Sequence, residues 1–135
     1  MSKLLKNFGV AGLVALIGVA VPVSAGSIKI GLNVPLTGFA AADGKSALIG
    51  AELAVEQVNA AGGINGDNLE LVVYDDQASP KESAPLAAKL ITQDQVAAGI
   101  SGSYSGATRA AATIYQENST PYISAYAVHP DITRS

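Results

Sequence analysis

Between Ser27 and Tyr126 the chain alternates short strand-like runs with stretches of helical periodicity, and this alternation constrains its fold more than any other feature. The runs are 27–34 (SIKIGLNV), 69–74, 95–100 and 121–126, built mainly of Ile, Leu, Val, Ala and Tyr. After the first, Leu48, Ala51, Val55 and Val58 recur at three- and four-residue spacing, which predicts an amphipathic helix. Gly62-Gly63 ends it, and Asn65-Gly66-Asp67-Asn68 supplies a turn before the second run.

Ser79-Pro80-Lys81-Glu82 combines an N-cap Ser, a Pro suited to the first helical position and a Glu three residues after the cap. Pro85 lacks a backbone donor, so the second helix either bends there or begins nearer Ser83. Ala84, Ala87, Ala88 and Ile91 form its apolar face. A third helix runs to about Glu117 and turns Ala107, Ala111 and Ile114 inward. Strands that alternate with helices through right-handed crossovers give an α/β fold, a parallel sheet with helices on both faces. Ligands bind such sheets at the edge where the strands end, which gathers the loops 37–44, 102–106 and 126–130.

Within that edge, residues 99–108 (GISGSYSGAT) read as a strand end, a turn of small residues and a helix start. The first amides of a helix lack partners inside it, and the helix dipole adds roughly half a positive charge there. The hydroxyls of Ser103 and Ser105 add donors, so a carboxylate or phosphate is the expected guest. The competing assignment is structural: Ser105 caps its own helix, as Ser does at many N-termini.

The first 25 residues carry a different signal. Lys3 and Lys6 precede an apolar run from about Phe8 to Val21, and Pro22-Val23-Ser24-Ala25 has small residues at cleavage spacing. Residues 1–25 are therefore expected to be a secretory signal peptide, the apolar run being shorter than the roughly 20 residues of a bilayer-crossing helix. Cleavage after Ala25 removes two lysines from a chain whose net charge is already −3, so nucleic acid and anionic surfaces are not expected partners. With no Cys there is neither a disulfide nor a thiol for a lipid anchor, and the exported chain is expected to diffuse freely, in the periplasm.

No enzyme site assembles from these residues. In Gly102-Ser103-Tyr104-Ser105-Gly106 a Tyr holds the place of the nucleophile in a G-x-S-x-G elbow, and His129, beside Pro130, reads as an ordinary exposed histidine. No nucleotide or other cofactor motif is present. Asp75 and Asp76 lack a third carboxylate for a metal and read as a solvated strand end.

The string KIGLNVPLTGFAAADGKSALIGAELAVEQVNAAGGINGDNLELVVYDDQASPKES, followed by GSYSGATRAAATIYQENSTPYISAYAVHPDIT, resembles the first lobe of the periplasmic leucine/isoleucine/valine-binding proteins. The resemblance covers the whole chain after the signal. It implies that 26–135 is the incomplete N-terminal lobe of a type I solute-binding protein, whose two lobes close on a small ligand and deliver it to the permease subunits of an ABC transporter. The same lobe also occurs in ligand-sensing ectodomains.

Carried over, Ser105 matches the family serine that meets the ligand carboxylate. Ala125-Tyr126-Ala127 matches the strand end lining the same pocket, and Tyr104 precedes the serine. Two positions depart from the amino-acid-binding pattern. Val128 stands where a Thr contacts the ligand amino group, and Asp43 stands where an aromatic packs on the ligand. Asp43 either recognises a cation or hydroxyl, points to solvent while Tyr104 or Tyr126 packs on a flat acid, or is a helix-start charge favoured by the dipole. Such a lobe alone is expected to bind little and to leave sheet edge and inter-lobe surface uncovered, which favours weak stability or self-association.

Overall fold

The computed structural model describes residues 26–134; the expected signal peptide lies outside the described residues. Four strands, β1 (Ser27–Val34), β2 (Asn68–Asp75), β3 (Ala98–Ser101) and β4 (Tyr122–Ser124), form one sheet in the order β2-β1-β3-β4. Every pair is parallel. The helices α1 (Ala41–Ala60), α2 (Pro80–Thr92) and α3 (Ser105–Glu117) fill the connections, and a single 3-10 turn covers Pro130–Ile132. Among the described residues no helix is long and apolar enough to cross a membrane.

Side chains alternate across the strands, so the two faces of the sheet have different covers. One face meets α2 and α3: Gly31 and Gly99 lie beneath Tyr115, and the Asn33 amide nitrogen donates to the Ser83 carbonyl at 3.2 Å. Leu90, Ala87, Ala111 and Tyr115 are fully buried there, with Val72, Tyr74 and Ile114 packed around them. A fully buried Leu side chain contributes about 1.5–3 kcal/mol and an Ala methyl less, and together these residues make this layer the main apolar core. Tyr115 stacks on Tyr122 with centroids 4.4 Å apart and planes at 11°. That stack explains Gly99, because a Cβ there would fall 2.3 Å from the Tyr115 ring.

The other face carries Ile30, Leu32 and Val34 under α1, which lies over β1 and β2. Toward β3 and β4 the cover is thin. An apolar cavity of about 260 Å³ lies between Ala54 and Val58 of α1 and Ile100 and Ile123 of the sheet, and Ile123 is 64% exposed.

Several boundaries differ from the sequence reading. α1 begins at Ala41, so Asp43 and Gly44 belong to its first turn rather than to the preceding loop. α1 ends at the glycine pair as expected, with Gly62 and Gly63 both at positive φ. α2 begins at Pro80 and runs through Pro85, which sits exposed inside it. Ser79 is the cap residue, yet no side-chain capping bond forms. The first turn is held instead by the Ser79 carbonyl, which accepts the amides of Glu82 and Ser83.

β3 starts at Ala98 rather than Gln95, because Gln95 adopts φ 58° and Val96 turns into the α2 and α3 core, its amide bonded to the Leu90 carbonyl. β4 ends at Ser124, where the Ser124 hydroxyl accepts the Ala127 amide at 2.9 Å and turns the chain out of the sheet.

Candidate functional site

Parallel register places the last residues of the strands side by side: Val34 opposite Asp75, Asn33 opposite Ser101, and Ser101 opposite Ser124. The loops that follow therefore share one edge, the place expected for a ligand.

The amino terminus of α3 lies on that edge. Tyr104 is the cap residue, in an extended conformation (φ −77°, ψ 163°), and Ser105 is the first helical residue. No side chain caps this helix, and its first turn contains no acidic residue, so Ser105 is not the cap of its own helix. The first protein-bonded amide is that of Thr108, to the Tyr104 carbonyl at 2.9 Å; those of Ser105 and Gly106 donate to no other described residue. These donors and the dipole favour an anionic acceptor.

Beside this terminus, Asp43, Ser46, Ala47, Tyr104, Ala125 and Tyr126 line a cleft of about 440 Å³. Asp43, Tyr104, Ala125 and Tyr126 are thus brought together as expected from the sequence, and Ser46 and Ala47, on α1, were missed. Their signal was helical: they follow Asp43 by three and four residues. Ser105 is half-buried and follows Tyr104 directly, outside the set of residues lining the cleft. Val128 is placed elsewhere. It is 89% exposed and lines a separate cavity of about 630 Å³ with Tyr122 and His129, because the turn at Ser124 carries it away from the cleft.

The rim is aromatic. The rings of Phe39 and Tyr104 lie 5.7 Å apart, and those of Tyr104 and Tyr126 lie 6.3 Å apart at 74°, an edge-to-face arrangement. The Tyr104 hydroxyl donates to the Asp43 carboxylate, and the Tyr126 hydroxyl donates to the Gly102 carbonyl. The exposed Asp43 carboxylate thus accepts a hydroxyl of the protein itself, and as the acidic residue in the first turn of α1 it also stands where the helix dipole favours a negative charge. The bond to Asp43, with a smaller contribution from burial, raises the Tyr104 pKa, and burial raises that of Tyr126.

Two expectations are overturned behind the rim. Ser103 does not offer its hydroxyl to a ligand: it is buried and donates to Asp76 at 3.0 Å. Asp76 is not a solvated strand end, being fully buried, and burial pushes its carboxyl above the ordinary range. Asp75 opposes it. Burial acts to raise its pKa, but bonds from the Thr37 hydroxyl and the Leu36 and Gln77 amides outweigh burial and lower it. Its carboxylate accepts the Leu36 amide at 2.8 Å and the Thr37 hydroxyl at 2.6 Å, which pins the loop between β1 and α1.

His129 is exposed, and its Nδ1 accepts the Asp131 amide at 3.2 Å, capping the 3-10 turn. Arg109 of α3 reaches Asp131 at 3.1 Å and ties that turn to the helix. Among the described residues no three His, Cys, Asp or Glu side chains gather as a metal site.

Known proteins agree with this architecture. A family model described as periplasmic binding protein matches residues 27–134. The chain belongs to this family. It is 35% identical over 133 residues to a leucine-, isoleucine-, valine-, threonine- and alanine-binding protein of Pseudomonas aeruginosa, covering 98% of this chain and 34% of that protein.

Among solved structures, the branched-chain amino acid transporter substrate-binding protein LivJ of Streptococcus pneumoniae, in complex with isoleucine, superposes with a TM-score of 0.77 at 39% identity. That match covers 80% of this chain and 31% of that one. A solute-binding protein of an ABC transporter from Rhodopseudomonas palustris, in complex with 3,4-dihydroxybenzoic acid, gives 0.73 at 30% identity, covering 79% and 29%. The chain spans about a third of the length of the relatives it matches. The α/β sheet described above is shared with these solved structures over the matched part of each.

Proposed function

We propose that this chain supplies the N-terminal lobe, 26–135, of a periplasmic solute-binding protein that captures a small carboxylate-bearing ligand for the permease subunits of an ABC transporter. The observation that carries the reading is the amino terminus of α3: amides at Ser105 and Gly106 that meet no acceptor among the described residues, with the Ser105 hydroxyl beside them, at the edge of the cleft lined by Tyr104 and Tyr126. A ligand carboxylate there accepts charge-assisted bonds from these helix-terminal donors. Tyr104, Ala125, Tyr126 and Asp43 form the wall around it, and Val128, turned away, adds nothing to this pocket.

The reading involves no bond made or broken. Ser103 is occupied by Asp76, and the one histidine caps a turn, so neither supplies a nucleophile or a base. The amino acids bound by the Pseudomonas aeruginosa and Streptococcus pneumoniae relatives support an amino acid as the solute. An aromatic acid is the second reading, favoured by the Phe39, Tyr104 and Tyr126 rings and by the dihydroxybenzoate of the Rhodopseudomonas palustris neighbour.

Calorimetric titration of the two-lobe protein with branched-chain amino acids, benzoic acids and dicarboxylates tests the proposal. Saturable binding of at least one carboxylate, lost in its amide or ester analogue, is expected. Equal affinity for the neutral analogue contradicts it.

A further inference from the structure

Asp76 is a fully buried carboxylate that the proposed ligand contacts leave unused. It follows β2 directly, and its partners are three neutral donors. Oδ1 accepts the Ser103 hydroxyl at 3.0 Å and the Ala78 amide at 3.0 Å, and Oδ2 accepts the Ser83 hydroxyl at 3.3 Å. An ionised carboxylate persists in an interior only when its oxygens are hydrogen-bonded, and such bonds are roughly twice as strong as neutral ones.

Ser103, the residue so held, stands immediately before Tyr104 and Ser105. Its amide donates to the Ser101 hydroxyl at 3.2 Å, and its carbonyl accepts the Thr108 hydroxyl at 3.2 Å. The Ser101 and Thr108 hydroxyls are bonded to each other at 2.6 Å. The strand end, the turn and the first turn of α3 are thereby locked together around the Ser103 backbone, and the Ser103 side chain is anchored to the residue that follows β2.

We propose that Asp76 is a positioning residue of the solute site: acting through Ser103, its carboxylate fixes the direction of the α3 amino terminus and holds Tyr104 and Ser105 against the cleft. The inference rests on the reading that this cleft takes a solute. The adjacent Asp75 holds the loop between β1 and α1 through Leu36 and Thr37, so two consecutive carboxylates anchor the segments that lead into α1 and α3. A ligand contact needs its donors held to a fraction of an ångström, which explains a buried charge where an apolar residue would otherwise be expected.

Ser83 provides an internal control, because it bonds the same carboxylate from α2 and is equally buried. The test compares Ser103→Ala with Ser83→Ala in the full chain by amide hydrogen exchange read at Ser103 and Thr108. Ser103→Ala is expected to speed exchange there by about tenfold, the scale of a lost bond to a charged group, while Ser83→Ala leaves both amides as in the wild type.

Unchanged protection in Ser103→Ala, or the same loosening in both variants, overturns the proposal. If Ser103→Ala fails to fold, Asp76→Asn, which keeps the shape and removes the charge, takes its place with the same two outcomes. In the two-lobe protein, titration with L-isoleucine and 3,4-dihydroxybenzoate should show about tenfold weaker binding in Ser103→Ala at matched stability. If the wild type binds neither probe, the functional reading loses its support while the exchange comparison still decides the role of Asp76.

Discussion

The Tyr104 hydroxyl donates to the carboxylate of Asp43, 61 residues earlier in the chain, and so joins the first turn of α1 to the amino terminus of α3 across the mouth of the cleft. Both partners are exposed, which makes the contact a reporter of how the two walls sit rather than a large source of stability.

The Asp43 carboxylate holds the phenol proton, so Tyr104 should ionise above the ordinary tyrosine value of 10.0. The sign follows from linkage: a folded pKa above the unfolded one stabilises fully below pH 10 and is lost as pH rises through the elevated value. Ultraviolet difference titration of the wild type against Tyr104→Phe isolates this group. Asp43→Asn is expected to bring its transition back toward 10; a transition that stays where it was contradicts the contact.

The position of Asp43 depends in turn on Gly44. A Cβ at Gly44 would lie 2.0 Å from the Pro35 carbonyl oxygen, a backbone atom that cannot rotate away. Gly44→Ala therefore has to displace α1, and overpacking of this kind costs about 1–3 kcal/mol. Gly50 of the same helix meets nothing within 4 Å, so Gly50→Ala should be neutral or gain up to about 1 kcal/mol of helix propensity. Urea unfolding midpoints should fall for the first and hold or rise for the second. Equal midpoints would show that α1 does not press on the loop at Pro35.

Much of the frame was legible because periods of 2.0 and 3.6 residues are local properties of sequence: Ser27–Val34, the α1 stripe and the Ser79-Pro80 start could all be read directly. Failures came where a partner distant in sequence decides. Val96 has the composition of a strand residue, but the left-handed turn at Gln95 sends it under α2. Ser103 and Asp76 looked solvent-facing because nothing local reveals that they bond each other across 27 residues. Val128 shares a loop with Tyr126, yet the bond between the Ser124 hydroxyl and the Ala127 amide rotates the two toward different cavities. Tyr115 needed glycines on two strands to become visible as core.

The claim on which the functional account turns is that a carboxylate sits against the first turn of α3. A single lobe is expected to bind weakly, so the direct measurement is an NMR amide-shift map of this chain titrated with millimolar L-isoleucine and with millimolar 3,4-dihydroxybenzoate. The account predicts that the largest shifts fall on Ser105 and Gly106, with smaller ones at Tyr104 and Tyr126, and that Ser105→Ala reduces them. Shifts centred on the cavity lined by Tyr122, Val128 and His129, with Ser105 and Gly106 unmoved, would contradict it.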